Sequence, residues 1–355
     1  MTQPDLTSWA TWGEIHAQPA IWRAWADQLD IAGLRGWVAG LDVTEVWFCG
    51  AGTSAYIGDI IVAGLMGRSG LPLRSVATTD LVARPHAHLT AARPLVVSFG
   101  RSGNSTESLG TLDALDALAP DAPRLNITCN PDGALATRSS AGDQRIVLLP
   151  EACHDAGFAM TSSFTTMLMT ALAVFDPASD AGHLRTLADV AGDLLPRVAA
   201  MPPPNRAVYV GSGPLAYVAR EAALKVMELS AGDIPALWDS TLGFRHGPKS
   251  FVTDGTLISI FVSSDAAAAR YDTDLAAELR AQFPNASVQT IGQGCDVDIA
   301  TPLGDTWGAA AAIIPAQIAA ARWAQDLGYN VDNPFIGMGT LSRVVAGVTL
   351  YPVTP

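Results

Sequence analysis

The chain has 355 residues, of which 49% are apolar and 15% are charged, and its formal net charge is −13. This composition is too apolar for a disordered protein, and at roughly 150 residues per domain it predicts two folded domains. The acidic balance, with a pI near 4.7, argues against a basic surface for nucleic acid. An anionic small molecule remains compatible, because backbone amides and one local cation can hold it.

The targeting and cysteine patterns predict a cytoplasmic protein. The N-terminal residues show no basic segment followed by an apolar run, so no secretory signal is expected. The longest charge-free stretches, residues 157–175 and 306–321, predict buried helices rather than membrane spans. The cysteines show no CxxC spacing, so we expect neither a zinc site nor a disulfide framework. We expect no metal, no cofactor, and no membrane or nucleic-acid partner.

Predicted strands alternate with longer helical patterns along the chain. After a helical segment at residues 1–30, apolar and β-branched runs predict strands at 45–49, 95–98, 124–128, 145–149, 207–210, 257–262 and 287–291. Ala- and Leu-rich helical patterns lie between most of them. This rhythm indicates an α/β fold with parallel sheets and crossover helices.

A proline run and an internal repeat divide the chain. Pro202–Pro204 cannot continue the helical pattern at 183–200, so we place the domain boundary there, between domains at 31–200 and 205–355, the second with a C-terminal tail. Residues 48–57 align with residues 209–218 at an offset of 161, and the following strands align at an offset of 162. The repeat predicts two doubly wound, flavodoxin-like parallel sheets that bind no nucleotide, with ligands at the carboxyl ends of their strands.

The first candidate site is the segment Gly50-Ala-Gly-Thr-Ser54, between a predicted strand and a helix. Its glycines allow a sharp turn, and a helix N-terminus favours an anion. Residue 55 is Ala, and no acidic residue follows about 20 positions on, so a dinucleotide site is not indicated. The alternative is an ordinary strand-to-helix turn.

Two further segments are rich in hydroxyl groups. Residues 98–107, Ser-Phe-Gly-Arg-Ser-Gly-Asn-Ser-Thr-Glu, follow a strand and suit a phosphate monoester, which accepts many short hydrogen bonds. Helix capping would need one such hydroxyl rather than several. Residues 161–166, Thr-Ser-Ser-Phe-Thr-Thr, predict either a helix cap or, beside the other two loops, part of a sugar pocket.

The predicted helix after the second GxG carries charge on one face. Glu221, Lys225 and Glu228 are spaced i, i+4 and i+7, and the residues between them are apolar. A solvated ion pair is the simpler interpretation. The apolar residues between these charges argue against that interpretation, because a carboxylate on a mostly buried helix needs a partner or a function.

The loop at residues 242–250 is the next candidate. It places His246 among Arg, Lys, Gly and Pro, as expected for a positioned acid or base.

These motifs resemble those of the SIS (sugar isomerase) family in a tandem arrangement, as in the isomerase half of glucosamine-6-phosphate synthase. The residues that carry the resemblance are GAGTS at 50–54, GRSGNST at 100–106, TSSFTT at 161–166, EAALKVMELS at 221–230 and FRHGPKS at 244–250. The last of these, with Asn333-Pro-Phe and residues 343–349, is most similar to the AgaS-type branch. That branch comprises galactosamine-6-phosphate deaminase/isomerases.

The resemblance implies a role for each matching residue. Glu228 is expected to move a proton between C1 and C2, and His246 to open the sugar ring. In the synthase this histidine comes from the neighbouring subunit, which implies a homodimer with shared active sites. The expected substrate contacts are Gly52, Thr53, Ser54, Gly100, Arg101, Ser102, Ser105, Thr161 and Lys249.

Two departures from the synthase shape the functional expectation. Ala346 stands where the synthase has its Schiff-base lysine, and no glutaminase domain is present. We therefore expect a deaminase/isomerase that converts a hexosamine 6-phosphate, preferably galactosamine 6-phosphate, to the ketose 6-phosphate and ammonia. The alternatives are a glucosamine-6-phosphate deaminase, an aldose/ketose isomerase, or a non-catalytic sugar-phosphate-binding regulator.

Overall fold

The computed structural model describes residues 5–89 and 93–354, and within them each half of the chain forms a parallel sheet of five strands. The first sheet has the order β2-β1-β3-β4-β5 and consists of β1 (Glu45–Gly50), β2 (Leu73–Ala77), β3 (Pro94–Gly100), β4 (Arg124–Thr128) and β5 (Gln144–Leu148). The second has the order β10-β9-β8-β6-β7 and consists of β6 (Arg206–Gly211), β7 (Ala236–Ser240), β8 (Thr256–Phe261), β9 (Ser287–Gly292) and β10 (Val297–Asp298).

Helices connect the strands and cover both sheets. They are α1 (Ala10–Gln28), α2 (Ile31–Ala39), α3 (Thr53–Leu65), α4 (Thr78–Ala83), α5 (Pro85–His88), α6 (Thr106–Leu118), α7 (Ala134–Thr137), α8 (Ser162–Phe175), α9 (Ala181–Leu194), α10 (Pro214–Leu229), α11 (Ala266–Gln282), α12 (Gly304–Ala312) and α13 (Ile314–Asp326). The charge-free stretches at 157–175 and 306–321 are buried helices, as predicted, and Pro315 lies at the start of α13.

A shared apolar core joins the two sheets. Alternate residues of a strand point to opposite faces, so Phe48 of β1 and Tyr209 of β6 face this core, where α3, α8, α10 and α12 pack. The next residue of β1, Trp47, packs on the outer face of the first sheet with α4 and α6. Val208 of β6 packs on the outer face of the second sheet with α11. The sheets therefore enclose a common layer of helices.

The predicted internal repeat is confirmed in the backbone. Both sheets have the same strand order. If the strands of each sheet are numbered 1 to 5 along the chain, both sheets read 2-1-3-4-5. The turns after their first strands have the same conformation: Gly52 has φ 54° and ψ −129°, and Gly213 has φ 56° and ψ −130°. Only glycine adopts this region readily, which explains why the second glycine of GxG occurs in both halves.

The sequence patterns missed three of the four edge strands, β2, β7 and β10, but predicted the fourth, β5, at residues 145–149. Strand β2 is only partly buried, and its side chains include Arg74 and Ser75, so it lacks an apolar signature. Strand β7 ends in Asp239-Ser240 and is likewise half-exposed.

The proposed domain limits stay predictions. The C-terminal tail assigned to the second domain packs on the first half of the chain, where Val345 O accepts a hydrogen bond from Thr106 N at 3.1 Å. Over the ranges described, no helix is both long and apolar enough to cross a lipid bilayer.

Candidate active site

The first glycine loop brings Thr53 to the carboxyl end of β1. Gly52 turns the chain, and Thr53 begins α3. The buried Thr53 hydroxyl donates to Glu221 Oε1 at 3.2 Å and accepts from Lys225 Nζ at 3.1 Å. Ser54 is also buried, and its hydroxyl lies 3.8 Å from Met160 Sδ. This loop therefore meets the charged face of α10 from the second half of the chain.

The second loop connects β3 to α6 and presents its hydroxyl groups at the same edge. Gly100 ends β3, and Gly103, with φ 65°, turns the chain toward α6. Ser105 caps α6 by accepting from Ser108 N at 3.2 Å. Ser102 Oγ accepts from Asn104 N at 3.2 Å. The two predicted phosphate loops thus follow neighbouring strands of the first sheet, as the sequence implied.

Thr161, in contrast, already binds an internal carboxylate. Asp155 is 1% exposed, and it accepts six hydrogen bonds from the backbone N–H groups and hydroxyls of residues 161–163, at 2.5–3.1 Å. Asp155 therefore occupies the N-terminus of α8, a favourable place for an anion. The sequence analysis missed this residue, because nothing in its neighbours links it to a motif six positions away.

A second internal carboxylate occupies the corresponding edge of the second sheet. Asp272 of α11 is fully buried and accepts from Ser212 Oγ at 2.7 Å, Ser263 N at 3.0 Å and the Thr241 hydroxyl. Ser212 lies in the second GxG. In the loop from Ser102 to Ser105, by contrast, no carboxylate bonds to the serine hydroxyls among the residues that the structure describes. That loop is therefore more open to an external phosphate than the sites that Asp155 and Asp272 fill.

The charged face of α10 is buried, so the interpretation as a solvated ion pair is wrong. The side chains of Glu221 and Lys225 are 0% exposed, whereas that of Glu228 is 22% exposed. Lys225 Nζ forms ion pairs with Glu228 Oε2 and, at 3.4 Å, with Glu221 Oε1. Because Thr53 contacts this cluster, the last turn of α10 carries Glu228 to the edge of the first sheet. Glu228 is the member of the cluster that solvent can reach.

Burial changes the titration of this cluster. It raises the pKa of Glu221 to about 7, an effect that Lys225 opposes. Burial alone would lower the pKa of Lys225, but Glu221 and Glu228 together raise it above its usual value. Lys225 therefore remains protonated and fixes the two carboxylates in place.

The raised pKa of Glu221 predicts a pH-dependent stability. Glu221 binds a proton more readily in the folded chain than in the unfolded chain, where its pKa is near 4.5. The stability that protonated Glu221 gives the folded chain is fully present below pH 4.5 and is lost as the pH rises to about 7. Relative to Glu221→Gln, the wild-type free energy of unfolding should fall by about 2–3 kcal/mol between these pH values. Urea denaturation at pH 4.5 and pH 8 measures this difference, and parallel curves would contradict it.

Arg101 lies at the same edge, but its guanidinium is used within the protein. It is 6% exposed and donates to the carbonyls of Gly157 at 2.9 Å, Phe158 at 3.1 Å and Arg343 at 3.0 Å. Arg343 in turn donates to the carbonyls of Asp155 and Gly157. The two arginines fix the 155–158 segment and the C-terminal tail beside the predicted phosphate loop at residues 100–105.

The segment that carries His246 lies on the other side of the second sheet. Two residues before it, Phe244 packs on the outer face with Val208, whereas α10 packs with Tyr209 on the inner face. His246 itself is exposed. The sheet thus separates His246 from Glu228 within one chain, and the structure does not bring these two predicted catalytic residues together.

Two ion pairs hold the His246 segment against α11. Arg245 Nε lies 2.8 Å from Glu278 Oε2, and Lys249 Nζ bonds to the other oxygen of Glu278. Lys249 also donates to Gln282 Oε1 at 3.1 Å. Lys249, expected to contact substrate, is thus engaged within its own chain, and Glu278 is a residue that the sequence analysis missed.

Comparisons with known proteins agree with this architecture. A family model described as SIS domain matches residues 42–176. The chain is 39% identical to D-galactosamine-6-phosphate deaminase AgaS of Escherichia coli, over 98% of both chains. It is 37% identical to the protein of the same name from Shewanella sp. (strain ANA-3), over 96% of this chain and 91% of the relative.

A solved structure resembles the whole chain. The crystal structure of tagatose-6-phosphate ketose/aldose isomerase from Escherichia coli superposes with a TM-score of 0.87 at 35% sequence identity, and it covers 99% of this chain and 100% of that chain. The family expected from the motifs is therefore confirmed over nearly the full length. The chain belongs to the AgaS family of SIS-domain proteins.

Proposed function

We propose that the protein is a hexosamine-6-phosphate deaminase/isomerase that converts galactosamine 6-phosphate and water to tagatose 6-phosphate and ammonia. The observation that carries this proposal is the edge of the first sheet. There, within the described residues, a hydroxyl-rich loop without an internal carboxylate follows the strand next to β1. Thr53, at the end of β1, bonds to Lys225, the ion-pair partner of the solvent-accessible Glu228. The names of the AgaS relatives support the galacto substrate.

The phosphate is proposed to bind at the loop from Gly100 to Ser105. Ser102 and Ser105 would donate their hydroxyls, with the backbone N–H groups at the start of α6 beside them. Thr53, Ser54 and Gly52 would border the sugar from the other loop. Arg101 would act by fixing the loop and by its charge rather than by a direct bond, since its guanidinium is already bonded to carbonyls.

Glu228 is proposed as the base for the isomerisation. In the open-chain aldehyde, whose amino group is an ammonium, it takes the proton from C2 while O1 takes a proton from the ammonium group, which leaves an enolamine, and it then gives its proton to C1. C1 is then a hydroxymethyl group and C2 an iminium, which water attacks so that ammonia leaves. Lys225 keeps the carboxylate in place throughout, because it is buried between Glu221 and Glu228. A positioned carboxylate of this kind suits proton transfer between neighbouring carbons.

His246 is proposed to open the pyranose ring by moving a proton between O5 and O1, at a site of another subunit. Its position across the second sheet from Glu228 supports this arrangement, because the sheet separates the two groups within one chain. A homodimer with two composite sites satisfies the requirement, since a two-fold axis exchanges the segment reciprocally.

Removal of the Ser102 hydroxyl tests the phosphate site. Ser102→Ala should raise KM for the phosphorylated sugar about 10- to 100-fold, because a hydrogen bond to a charged group is worth about 1.5–3 kcal/mol. Ser264→Ala, at the comparable position after β8 of the other repeat, is the matched control and should leave KM unchanged. Steady-state kinetics measure both. Equal binding of phosphorylated and non-phosphorylated sugar by the wild type would contradict the site.

Plain aldose/ketose isomerisation is a second candidate, favoured by the name of the E. coli structure. It uses the same proton transfer between C2 and C1 but needs no loss of nitrogen. Galactose 6-phosphate distinguishes the two reactions, because it gives tagatose 6-phosphate only if the enzyme isomerises a substrate without an amino group. Faster turnover of galactose 6-phosphate than of galactosamine 6-phosphate would favour this candidate.

A further inference from the structure

A separate cavity lies at the carboxyl edge of the second sheet. Its volume is about 250 Å³, and it is bounded by the segments that follow β8 and β9 and by α12. A cavity of about 150 Å³ can already hold benzene, so this one can hold a ring with a short side chain. Because the two halves repeat one topology, this edge is the counterpart of the phosphate edge proposed in the first sheet.

The cavity lacks the features that favour a phosphate. At the repeat offset of 162, Ser263 stands where the first half has Arg101, and none of the described residues that line the cavity is Lys, Arg or His. Asp272 accepts from Ser263 N at 3.0 Å. Asp305 accepts from Ser264 N at 2.7 Å and from the Ser263 hydroxyl. Two carboxylates therefore occupy the donors that an anion would need, and their charge repels an anion.

The lining combines an apolar floor with one carboxylate that solvent can reach. Leu215, Phe261 and Ile291 are each at most 5% exposed and form part of the floor. Asp305, in the first turn of α12, is half-buried, and the two donors that bond to it are neutral. A carboxylate has about four lone-pair positions, so Asp305 can accept further hydrogen bonds from a ligand. The complementary molecule has an apolar body and a cationic donor.

We propose that this cavity binds a small primary amine with an apolar body, and that the ammonium group of the amine donates to Asp305. The site is distinct from the catalytic edge. Leu215 of its lining lies in the first turn of α10 and Glu228 lies in the last turn, which places them about 20 Å apart along the helix. The inference does not depend on the proposed reaction.

Titration calorimetry with the full chain tests the charge preference. The reference ligand is 2-phenylethylamine, which is protonated at neutral pH as alkylamines are. Its analogues of similar size are 2-phenylethanol, which is neutral, and phenylacetate, which is an anion. We expect the amine to bind most tightly and phenylacetate to bind at least ~10-fold more weakly, because only the amine adds a charged hydrogen bond to Asp305.

Three variants locate the binding site. Asp305→Asn should weaken amine binding about 10- to 100-fold and leave 2-phenylethanol binding unchanged. Asn still accepts from Ser264 N, so α12 should keep its N-terminus. Asp298→Asn is the matched control, since it removes the same charge near the loop after β9 but outside the lining, and should bind the amine normally. Ser264→Trp fills the mouth at an exposed position and should abolish binding of all three molecules.

Binding of phenylacetate as tight as that of the amine would overturn the proposal, as would a wild type that does not bind the amine. Unchanged amine affinity in Asp305→Asn or in Ser264→Trp would place the amine elsewhere and overturn it too. Circular dichroism confirms that each variant is folded, and Ser264→Trp decides the location if Asp305→Asn is not. A protein that releases no ammonia would refute the deaminase and leave the amine site standing.

Discussion

Replacement of Glu228 by Gln should lower the rate of ammonia release by ~10²–10⁴, the usual contribution of a positioned general base. Gln keeps the size and most hydrogen bonds of the side chain but cannot accept the proton from C2. Phosphate affinity should persist, because Ser102 and Ser105 lie on another element. Steady-state kinetics and binding of a hexitol 6-phosphate check the two parts of this prediction.

Solvent deuterium reports the proton transfer directly. Wild-type enzyme in D₂O should place deuterium at C2 of recovered substrate, and Glu228→Gln should not. Glu221→Gln is the control on the same helix: its carboxylate is fully buried and bonded to Thr53, so the exchange should survive there. Exchange that is intact in Glu228→Gln and lost in Glu221→Gln would assign the base to Glu221.

A mixture of two inactive variants should recover activity. Glu228→Gln chains lack the proposed base and His246→Ala chains lack the proposed ring-opening group, so each homodimer of the proposed kind would have two defective sites. If subunits exchange at random, half of the dimers are mixed and one of their two sites is intact, which gives up to about a quarter of wild-type activity. The physical reason is the second sheet, which lies between the two residues in each chain.

The control for this experiment is each variant mixed with itself under the same exchange conditions, which should give no recovery. Mass spectrometry of differently labelled chains verifies that the subunits have exchanged. If verified mixed dimers remain inactive, both residues act within the same subunit, and the composite site is wrong.

The fold was largely predictable from the sequence, because its central strands are continuous apolar runs. Strands β1, β3, β4, β6 and β8 match the predicted segments to within a few residues. Edge strands such as β2 and β7 were missed, since an edge strand needs no apolar run on both faces. The internal repeat was visible because both halves need a glycine with positive φ at the same turn.

The site was predictable where its residues lie within one motif. The spacing of Glu221, Lys225 and Glu228 placed them on one helix face, and the structure buries two of them as an ion-paired cluster. Contacts that reach beyond one motif were not predictable: Asp155 fills the N-terminus of α8 from six residues away, and Glu278 of α11 holds Lys249. These pairings depend on how the elements pack, which no local pattern encodes.

Ammonia released per ketose formed tests the central claim most directly. With purified protein and galactosamine 6-phosphate, we expect one ammonia for each tagatose 6-phosphate, and a lower kcat/KM with glucosamine 6-phosphate, which differs only at C4. Coupled glutamate dehydrogenase measures the ammonia, and chromatography identifies the ketose. Ketose or binding without any ammonia from either amino sugar would contradict the deaminase, and faster reaction of glucosamine 6-phosphate would contradict the galacto preference.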